Sequence, residues 1–500
     1  MRFDNDVSKQ DGHIVSTTST EVGKDKGFFG HPRGLANLFG VEMWERFSFY
    51  GMQGILAIYL YYSTTDGGLG LEKPTALGIV GAYGGLVYLS TVVGAWIADR
   101  LLGSERTLFY SALLIMAGHI SLALLPGFAG VGVGLVCVAL GSGGLKGNAT
   151  ALVGGLYGEH DERRDGGFTL FYMGVNLGGW IGPLLTGLAQ EELGFHYGFG
   201  LAAIGMAAGL IQYTLGRKNL PDSGRVVPNP LPANRRPLVA VLAVVVVALI
   251  VVAVLTGFVT AENLSDRTIL VIVIASVAYF AVLLTSKKTT PVERKRVASF
   301  IPMFIASAAF FALFQQQFTV IAAYTDERLD RNLFGWEMPV SWMNSVNPVF
   351  ILLLAPVVAA IWTKLGERQP SSPIKFAMGT GIAGVSFLLF LPLAGGGPAS
   401  TPLLALVGII LVVTVAELSL SPVGLSLSTK LAPEAYQTQM VALNFLSVAL
   451  GTALSGWLAR FYSADSEVPY FGTLGAICIG IGILLVLGTP FIRKLMSGVR

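Results

Sequence analysis

Apolar runs long enough to cross a bilayer recur along the whole chain, and they constrain its fold more than any other feature. A membrane-spanning helix needs about 20 mainly apolar residues, and this pattern predicts fourteen spans. The predicted ranges are 35–62, 76–99, 106–126, 128–156, 167–190, 196–216, 237–258, 267–286, 296–323, 340–363, 376–395, 401–428, 437–459 and 469–492. Only 13% of the residues are charged, against about 25% in soluble domains. The sequence therefore predicts an all-α polytopic membrane protein.

Lysine and arginine indicate how the chain is oriented, because they are enriched in cytoplasmic loops. If the N-terminus is cytoplasmic, the opposite face of the membrane receives few of the 33 basic residues. Those few are Lys73, Arg267, Arg328, Arg331 and Arg460. We therefore expect both termini to be cytoplasmic, in a multi-pass protein of the cell inner (plasma) membrane.

A weak internal repeat suggests that the chain is built from two halves. AWIADRLLGSERT follows the second span, and AAIWTKLGERQPS echoes it after the tenth. Duplicated halves are common in transporters, although glycine and basic residues also occur in many short cytoplasmic loops. We predict a cytoplasmic tail at 1–34, a six-helix bundle at 35–216, linkers with an inserted helix pair at 217–295, a second six-helix bundle at 296–492 and a tail at 493–500.

Five ionisable residues lie inside predicted spans, namely Glu42, Glu45, Arg46, Lys146 and Glu417. Each costs about 2.5–3.5 kcal/mol in hydrocarbon, so it needs a cavity, a partner or a proton. A structural polar cluster would explain them, but their spread over three spans favours a water-accessible path. Three acids and two bases leave one carboxylate without a full-charge partner, which makes a proton-binding site. The two bases suit the carboxylate of a zwitterionic substrate, and Glu417 suits its amine.

Helical spacing groups these charges with other polar residues. At about 100° per residue, the polar residues of the first span share one face from Glu42 to Gln53. Ser421 lies one helical turn after Glu417 and shares its face. His119, in the third span, belongs to no motif, and we expect it to be buried and hydrogen-bonded.

Six stretches together resemble the proton-dependent oligopeptide transporter (POT, or PTR2) family of the major facilitator superfamily. They are VEMWERFSFYGMQ at 41–53 with its ExxER signature, GAWIADRLLGSERT at 94–107, LKGN around Lys146, FTLFYMGVNLGG at 168–179, NSVNPVF at 344–350 and AELSLSPVGLS at 416–426. They follow in order through both halves, so the resemblance covers essentially the whole chain. It implies a major facilitator fold, with two six-helix bundles around a central cavity and an inserted pair that completes fourteen transmembrane helices.

The resemblance implies a proton-coupled symporter that imports di- and tripeptides by alternating access. In such a protein Arg46 and Lys146 receive the peptide carboxylate, and Asn176, Asn347 and Glu417 receive its amino end and backbone. The resemblance and the helical spacing together predict eleven substrate-binding residues. They are Arg46, Tyr50, Gln53, Tyr88, Lys146, Asn176, Phe311, Gln315, Asn347, Glu417 and Ser421. The resemblance assigns proton coupling to Glu42, Glu45 and Glu417, and gating to Lys146, Glu417, Gln53 and Gln315.

Some of these assignments have alternatives. Tyr50 and Tyr88 are expected to line the pocket, although aromatic packing would also explain them. Asn347 precedes Pro348 and is suited to capping the backbone there as well as to binding substrate. Lys146 and Glu417 are expected to form an ion pair near the cytoplasmic gate.

The sequence departs from the family pattern at several positions. Gln53 stands where many members have arginine, and Gln315, in FFALFQQ, stands where many have an acid. In the family those residues form an outer-gate salt bridge, so we predict a Gln53–Gln315 hydrogen bond instead. Phe311 and Asn444 stand where tryptophans are usual, and Gly147 replaces a proline. The two missing tryptophans imply a larger and more polar pocket, and Gly147 is expected to loosen the fourth helix.

Other functions remain open from the residues alone. A proton-coupled carrier of another zwitterion or anion, such as a peptide-like drug, nitrate or a modified metabolite, would use similar charges. A channel suits glycine- and proline-containing helices less well than rocking bundles. No HExxH helix, GxSxG elbow or pair of intramembrane aspartates suggests an enzyme. We expect no cofactor, no metal and no nucleic acid, and a monomer whose partners are small peptides, protons and the lipid bilayer.

Overall fold

The computed structural model describes residues 27–158 and 161–499, which are almost entirely helical. The helices are α1 (Arg33–Tyr61), α2 (Lys73–Ile97), α3 (Ser104–Leu124), α4 (Gly127–Gly155), α5 (Arg164–Leu193), α6 (Phe195–Gly216), α7 (Arg236–Leu255), α8 (Leu264–Thr285), α9 (Pro291–Phe314), α10 (Val320–Arg328), α11 (Val346–Leu365), α12 (Ser372–Leu388), α13 (Leu403–Lys430), α14 (Gln437–Leu458) and α15 (Glu467–Leu495). Two short strands, β1 (Asn332–Leu333) and β2 (Trp336–Glu337), pair in an antiparallel hairpin. Most of the predicted N-terminal tail and the last residue of the predicted C-terminal tail lie outside the described residues.

The helices bear out the prediction of fourteen spans. Within the described ranges, 13 helical segments are long and apolar enough to cross a membrane, and α9 with α10 counts as one of them. α1 lies outside that set because its charged and polar residues lower its hydropathy, yet its 29 residues exceed the length that a span needs. It is enclosed by other helices, and Val41, Ile55 and Leu56 on its apolar side are fully buried.

Two predicted spans differ from the helices that form there. The span predicted at 296–323 begins earlier, at Pro291, where Thr290 and Glu293 form a capping box. It is interrupted by the 3₁₀ segment Gln315–Phe318 and continues as α10. The span predicted at 340–363 starts as a 3₁₀ segment, Val340–Ser345, before α11 begins. Both irregular segments lie beside the central cavity described below.

The helices pack as two halves with an inserted pair. In the first half, α1 packs against α5 and α6, and α3 packs against α4. In the second half, α12 packs against α13 and α15. α2 and α14 cross between the halves so closely that a Cβ on Gly81 would lie 2.4 Å from the backbone nitrogen of Gly456. α7 has no buried residue, as expected of a lipid-facing helix.

The two ends of the molecule differ in how the halves meet. We call the end where α1 begins and α15 ends the terminal side, and the end where α1 stops the far side. On the far side, the hydroxyls of Tyr61 and Tyr62 donate to the two carboxylate oxygens of Asp326, at 2.8 and 2.7 Å. Lys73 and Glu327 form an ion pair beside them. These contacts join the first half to α10 of the second.

Further hydrogen bonds on the far side join the 3₁₀ segment before α11 to α5. The hydroxyl of Ser341 donates to the carbonyl of Pro183 at 2.8 Å, and that of Ser345 donates to the carbonyl of Trp180 at 2.7 Å. Trp342 Nε1 donates to the carbonyl of Leu184 at 3.0 Å. The far side is therefore closed between the halves.

Candidate functional site

A cavity of about 350 Å³ lies between the two halves, and most of the predicted site residues line it. Its walls come from α1, α2 and α5 of the first half and from α9, α11, α13 and α14 of the second. The predicted residues that line it are Tyr50, Gln53, Tyr88, Asn176, Phe311, Gln315, Asn347, Glu417 and Ser421. The fold thus brings residues from distant parts of the sequence to one enclosed space.

The central cavity continues toward the terminal side. A second cavity, of about 840 Å³, lies between α11, α12, α13 and α15 and shares Tyr172 with the first. Tyr172, at the junction of the two cavities, is 45% exposed, so the helices separate on this side. The structure is closed on the far side and open toward the terminal side.

Four charged residues form a cluster behind the aromatic wall of the first half. We call Glu42, Glu45, Arg46 and Lys146 the first-half cluster. Arg46 Nε donates to Glu42 Oε1 at 3.0 Å and lies 2.8 Å from Glu45 Oε2. The hydroxyl of Ser142 donates to the other oxygen of Glu45 at 2.7 Å. Lys146 interacts electrostatically with the other three members. The cluster contains two acids and two bases, so it is neutral when all four are ionised.

Aromatic rings connect this cluster to the cavity. The guanidinium carbon of Arg46 lies 5.5 Å from the ring of Phe49 and 5.9 Å from that of Tyr50. Lys146 Nζ lies 4.4 Å from the ring of Tyr88 and 5.1 Å from that of Phe49. These are cation–π distances. All three rings line the cavity, and Arg46 Nη2 is buried with no hydrogen-bond partner in the part of the chain that the structure describes.

Glu417 is the only acid among the residues that line the central cavity. Its Oε2 accepts a hydrogen bond from Asn347 Nδ2 at 3.1 Å, and the same amide nitrogen lies 3.0 Å from Thr414 Oγ1. Asn347 therefore orients the carboxylate and does not cap the backbone beside Pro348. Among the described residues, Glu417 has no cationic partner. The second half thus presents an uncompensated carboxylate to the cavity.

The predicted Lys146–Glu417 ion pair is not formed in this structure. Lys146 lies on α4 against rings of the first half, whereas Glu417 lies on α13 of the second. The open terminal side accounts for this, since a contact between the halves there requires them to close.

The prediction of a Gln53–Gln315 hydrogen bond is wrong for this structure. Gln315 Nε2 donates to Thr452 Oγ1 on α14 at 3.2 Å, and Gln53 Oε1 is buried with no hydrogen-bond partner among the described residues. Gln315 begins the 3₁₀ segment that interrupts α9, and this change of backbone direction turns its amide toward α14. Tyr61 and Tyr62 with Asp326, which sequence reasoning missed, join the halves nearby.

The structure also tests the predictions for His119 and Asn176 and adds two cavity residues that were not predicted. His119 is fully buried as expected, but neither ring nitrogen has a hydrogen-bond partner among residues 27–158 and 161–499, so the expectation of a hydrogen-bonded histidine is wrong for this structure. Asn176 lines the cavity and donates to the carbonyl of Tyr172 at 2.9 Å. Asn344 and Gln317 also line it and were not predicted. Asn344 could have been found, because it belongs to the same NSVNPVF stretch as Asn347.

Comparisons with known proteins agree with this geometry. The profile of the POT family (PTR2) matches residues 105–477. The chain is 44% identical to an uncharacterized transporter of Bacillus subtilis, over 95% of this chain and 97% of the relative. It is 42% identical to a di-/tripeptide transporter of Lactococcus lactis subsp. cremoris, over 95% and 99%. A crystal structure of the peptide transporter POT in complex with sulfate superposes with a TM-score of 0.90 at 45% identity, over 94% and 97%.

Proposed function

The chain belongs to the POT family, and on that premise we propose that it is a proton-coupled symporter that imports di- and tripeptides by alternating access. The observation that carries the proposal is the distribution of charge around one cavity. A neutral cluster with two bases lies behind one wall, and a carboxylate without a cationic partner lies on the opposite wall. A zwitterionic peptide has the complementary charges at its two ends.

The peptide carboxylate would bind to the first half and the amine to the second. Arg46 offers as a donor its buried Nη2, which has no hydrogen-bond partner among the described residues, and Lys146 lies against the rings of Phe49 and Tyr88. Glu417 would accept the ammonium group, held in place by its hydrogen bond from Asn347. Charge-assisted hydrogen bonds of this kind select for charged ends over neutral solutes.

The remaining candidates would contact the rest of the peptide. Asn176 offers a polar group to the peptide backbone, and Phe311 offers an apolar surface on α9. Gln53 and Gln315 line the cavity without charge and complete its polar lining.

Charge balance gives a reason for proton coupling. The first-half cluster is neutral when the cavity is empty, so a peptide carboxylate bound at Arg46 gives it an uncompensated negative charge. A buried charge without a partner is costly, and uptake of a proton removes it. Glu42 and Glu45 are the cluster's proton acceptors. The ammonium group in turn neutralises Glu417, so the occupied cavity is neutral with one proton on the Glu42–Glu45 pair.

The halves would act as the moving bodies, with 35–216 and 296–492 rocking against each other. We place the terminal side in the cytoplasm and the protein as a monomer in the plasma membrane, since its basic residues are concentrated on that side. The far side then faces outward and is closed in this structure. We assign the gating roles of Lys146 and Glu417 to a state closed on the terminal side, and those of Gln53 and Gln315 to the outer part of the cavity.

Uptake by proteoliposomes tests this function. An acidic exterior with an inside-negative potential should drive labelled dialanine above equilibrium, and an uncoupler should abolish the accumulation. Unlabelled di- and trialanine should compete, whereas free alanine and tetraalanine should compete weakly. Equilibration without accumulation would indicate a channel or uniporter. Accumulation that no peptide inhibits would favour a carrier of another zwitterion or anion.

A further inference from the structure

One wall of the central cavity, where α13 meets α14, carries polar groups that the roles above do not use. Asn444 lines this wall, and its side-chain amide makes no hydrogen bond with any described residue. Ser421 Oγ lies on the same wall and is buried without a hydrogen-bond partner in the described part of the chain. Unpaired polar groups are uncommon inside proteins and are unfavourable unless something else satisfies them.

Gly424 brings these groups together. It lies one turn after Ser421 on α13, and a Cβ added to it would be 2.8 Å from Asn444 Oδ1. The absence of a side chain thus lets the Asn444 amide lie directly against α13. Leu420, Leu425 and other apolar residues line the cavity around this spot. Asn444, Ser421 and Gly424 therefore form a small polar patch within an apolar surround.

The patch has a defined position relative to the proposed binding site for the amine. Ser421 follows Glu417 by four residues, which is about 5–6 Å along one helical face. A peptide whose ammonium group lies at Glu417 would therefore direct the side chain of its first residue toward Asn444 and Ser421. The second side chain would lie closer to the first half.

We propose that Asn444, Ser421 and Gly424 form a subsite for a hydrogen-bonding side chain, an amide or a hydroxyl, on the amino-terminal residue of the transported peptide. The inference rests on the proposed function and names its preferred substrates. Asn444 offers both a donor and an acceptor, and Ser421 adds a hydroxyl. An apolar side chain of the same shape would leave these groups unpaired, and sites built to hydrogen-bond a substrate discriminate strongly against such analogues.

Competition against labelled dialanine, with pairs of unlabelled dipeptides of matched shape, tests the subsite. Thr-Ala is compared with Val-Ala, and Asn-Ala with Leu-Ala. The polar member of each pair should inhibit with about 5-fold greater affinity, as expected for the gain of one buried hydrogen bond. Ala-Thr with Ala-Val and Ala-Asn with Ala-Leu serve as controls, and their polar members should show no comparable advantage.

Variants separate this subsite from general polarity of the cavity. Asn444→Leu should remove the preference for Thr-Ala and Asn-Ala, and Ser421→Ala should reduce it with little change of shape. Asn344→Leu, the same substitution on another wall, should leave the preference in place even if overall affinity falls. Gly424→Ala should displace the Asn444 amide and lower the preference without removing any polar group.

The outcomes distinguish the subsite from the function on which it rests. If dipeptides compete but wild type shows no preference for a polar first residue, the subsite is contradicted while peptide transport stands. The same conclusion follows if Asn444→Leu and Asn344→Leu change the preference equally. If no dipeptide competes at all, the proposed function is contradicted, and the subsite with it.

Discussion

The two halves present charge to the central cavity in opposite ways. The first-half cluster contains two acids and two bases behind the rings of Phe49, Tyr50 and Tyr88; Arg46 contacts both acids, and Lys146 interacts with the other three members electrostatically. The second half presents Glu417 alone, held by the neutral amide of Asn347. A balanced cluster responds to an added anion by taking up a proton, whereas a lone carboxylate responds by binding a cation. On this difference we propose that one half carries proton coupling and the other recognises the amine.

Removing Arg46, which contacts both acids of the first-half cluster, should have the largest effect on stability and uptake. Arg46→Gln leaves Glu42 and Glu45 buried with only Lys146 nearby, and breaking a buried pair in this way costs about 3–5 kcal/mol. We expect a clear loss of thermal stability in detergent and uptake of dialanine at background level. In Glu45→Gln/Arg46→Gln, the charge balance is restored, so stability should recover while uptake stays low. If the single variant is as stable as wild type, the cluster is not held together by Arg46.

Removing the lone acid should affect binding more than stability. Glu417→Gln deletes a charge that has no cationic partner in the described chain, so thermal stability should stay close to that of wild type. Loss of a charge-assisted hydrogen bond to the ammonium group should weaken dialanine binding about 10- to 100-fold. Competition by N-acetylated dialanine, which lacks the ammonium group, is the control and should be equally weak in both proteins. Unchanged dialanine affinity in Glu417→Gln would contradict the assignment of Glu417 to the amine.

On the far side, the first half supplies hydroxyls and the second half a carboxylate. In Asp326→Asn, a neutral amide replaces the carboxylate that accepts the hydrogen bonds from Tyr61 and Tyr62. The population of the state closed on the far side should therefore fall about tenfold relative to the state open there. Spin labels at Thr65 and Asn332, one on each half, should show a larger fraction of long distances. Asp66→Asn is the matched control, because Asp66 bonds only to Ser63 of the same half. An equal response in both variants would contradict a closure held by Asp326.

The smallest expected effect on uptake concerns Gln53 and Gln315 in the cavity. Gln315→Glu adds an acid to a cavity that already contains Glu417, and we expect a several-fold loss of dialanine uptake. Gln53→Arg/Gln315→Glu adds one charge of each sign and should recover most of it. Equal loss in the single and the double variant would show that charges at these two positions do not compensate each other.

Much of the fold and of the site could be predicted because the signals are local. Apolar runs of sufficient length require helices in a bilayer, and helical spacing placed Glu42, Glu45 and Arg46 on one face before the structure showed them in contact. Glu417 and Ser421 share the cavity for the same reason. The charges also fall in the only kind of environment that tolerates them, which is a cavity within the bundle.

What could not be predicted depends on tertiary geometry. The direction of Gln315 follows from a 3₁₀ segment that no turn residue marks in FFALFQQQF. The Tyr61–Asp326 contact joins residues more than 260 positions apart, and neither residue lies in a recognised motif. The Lys146–Glu417 pair depends on which side of the protein is closed, and a sequence does not encode one state of an alternating pair. His119 was expected to find a partner, but burial alone does not provide one.

Proton entry driven by dialanine tests most directly whether the Glu42–Glu45 pair carries the coupled proton. Proteoliposomes with an internal pH dye, clamped at zero potential, are given dialanine outside. Wild type should acidify the interior. Glu45→Gln should not, because a cluster with one acid and two bases becomes neutral on binding a carboxylate and needs no proton. It should still exchange labelled for unlabelled dialanine. Acidification by Glu45→Gln at the wild-type ratio of protons to peptide would contradict the assignment.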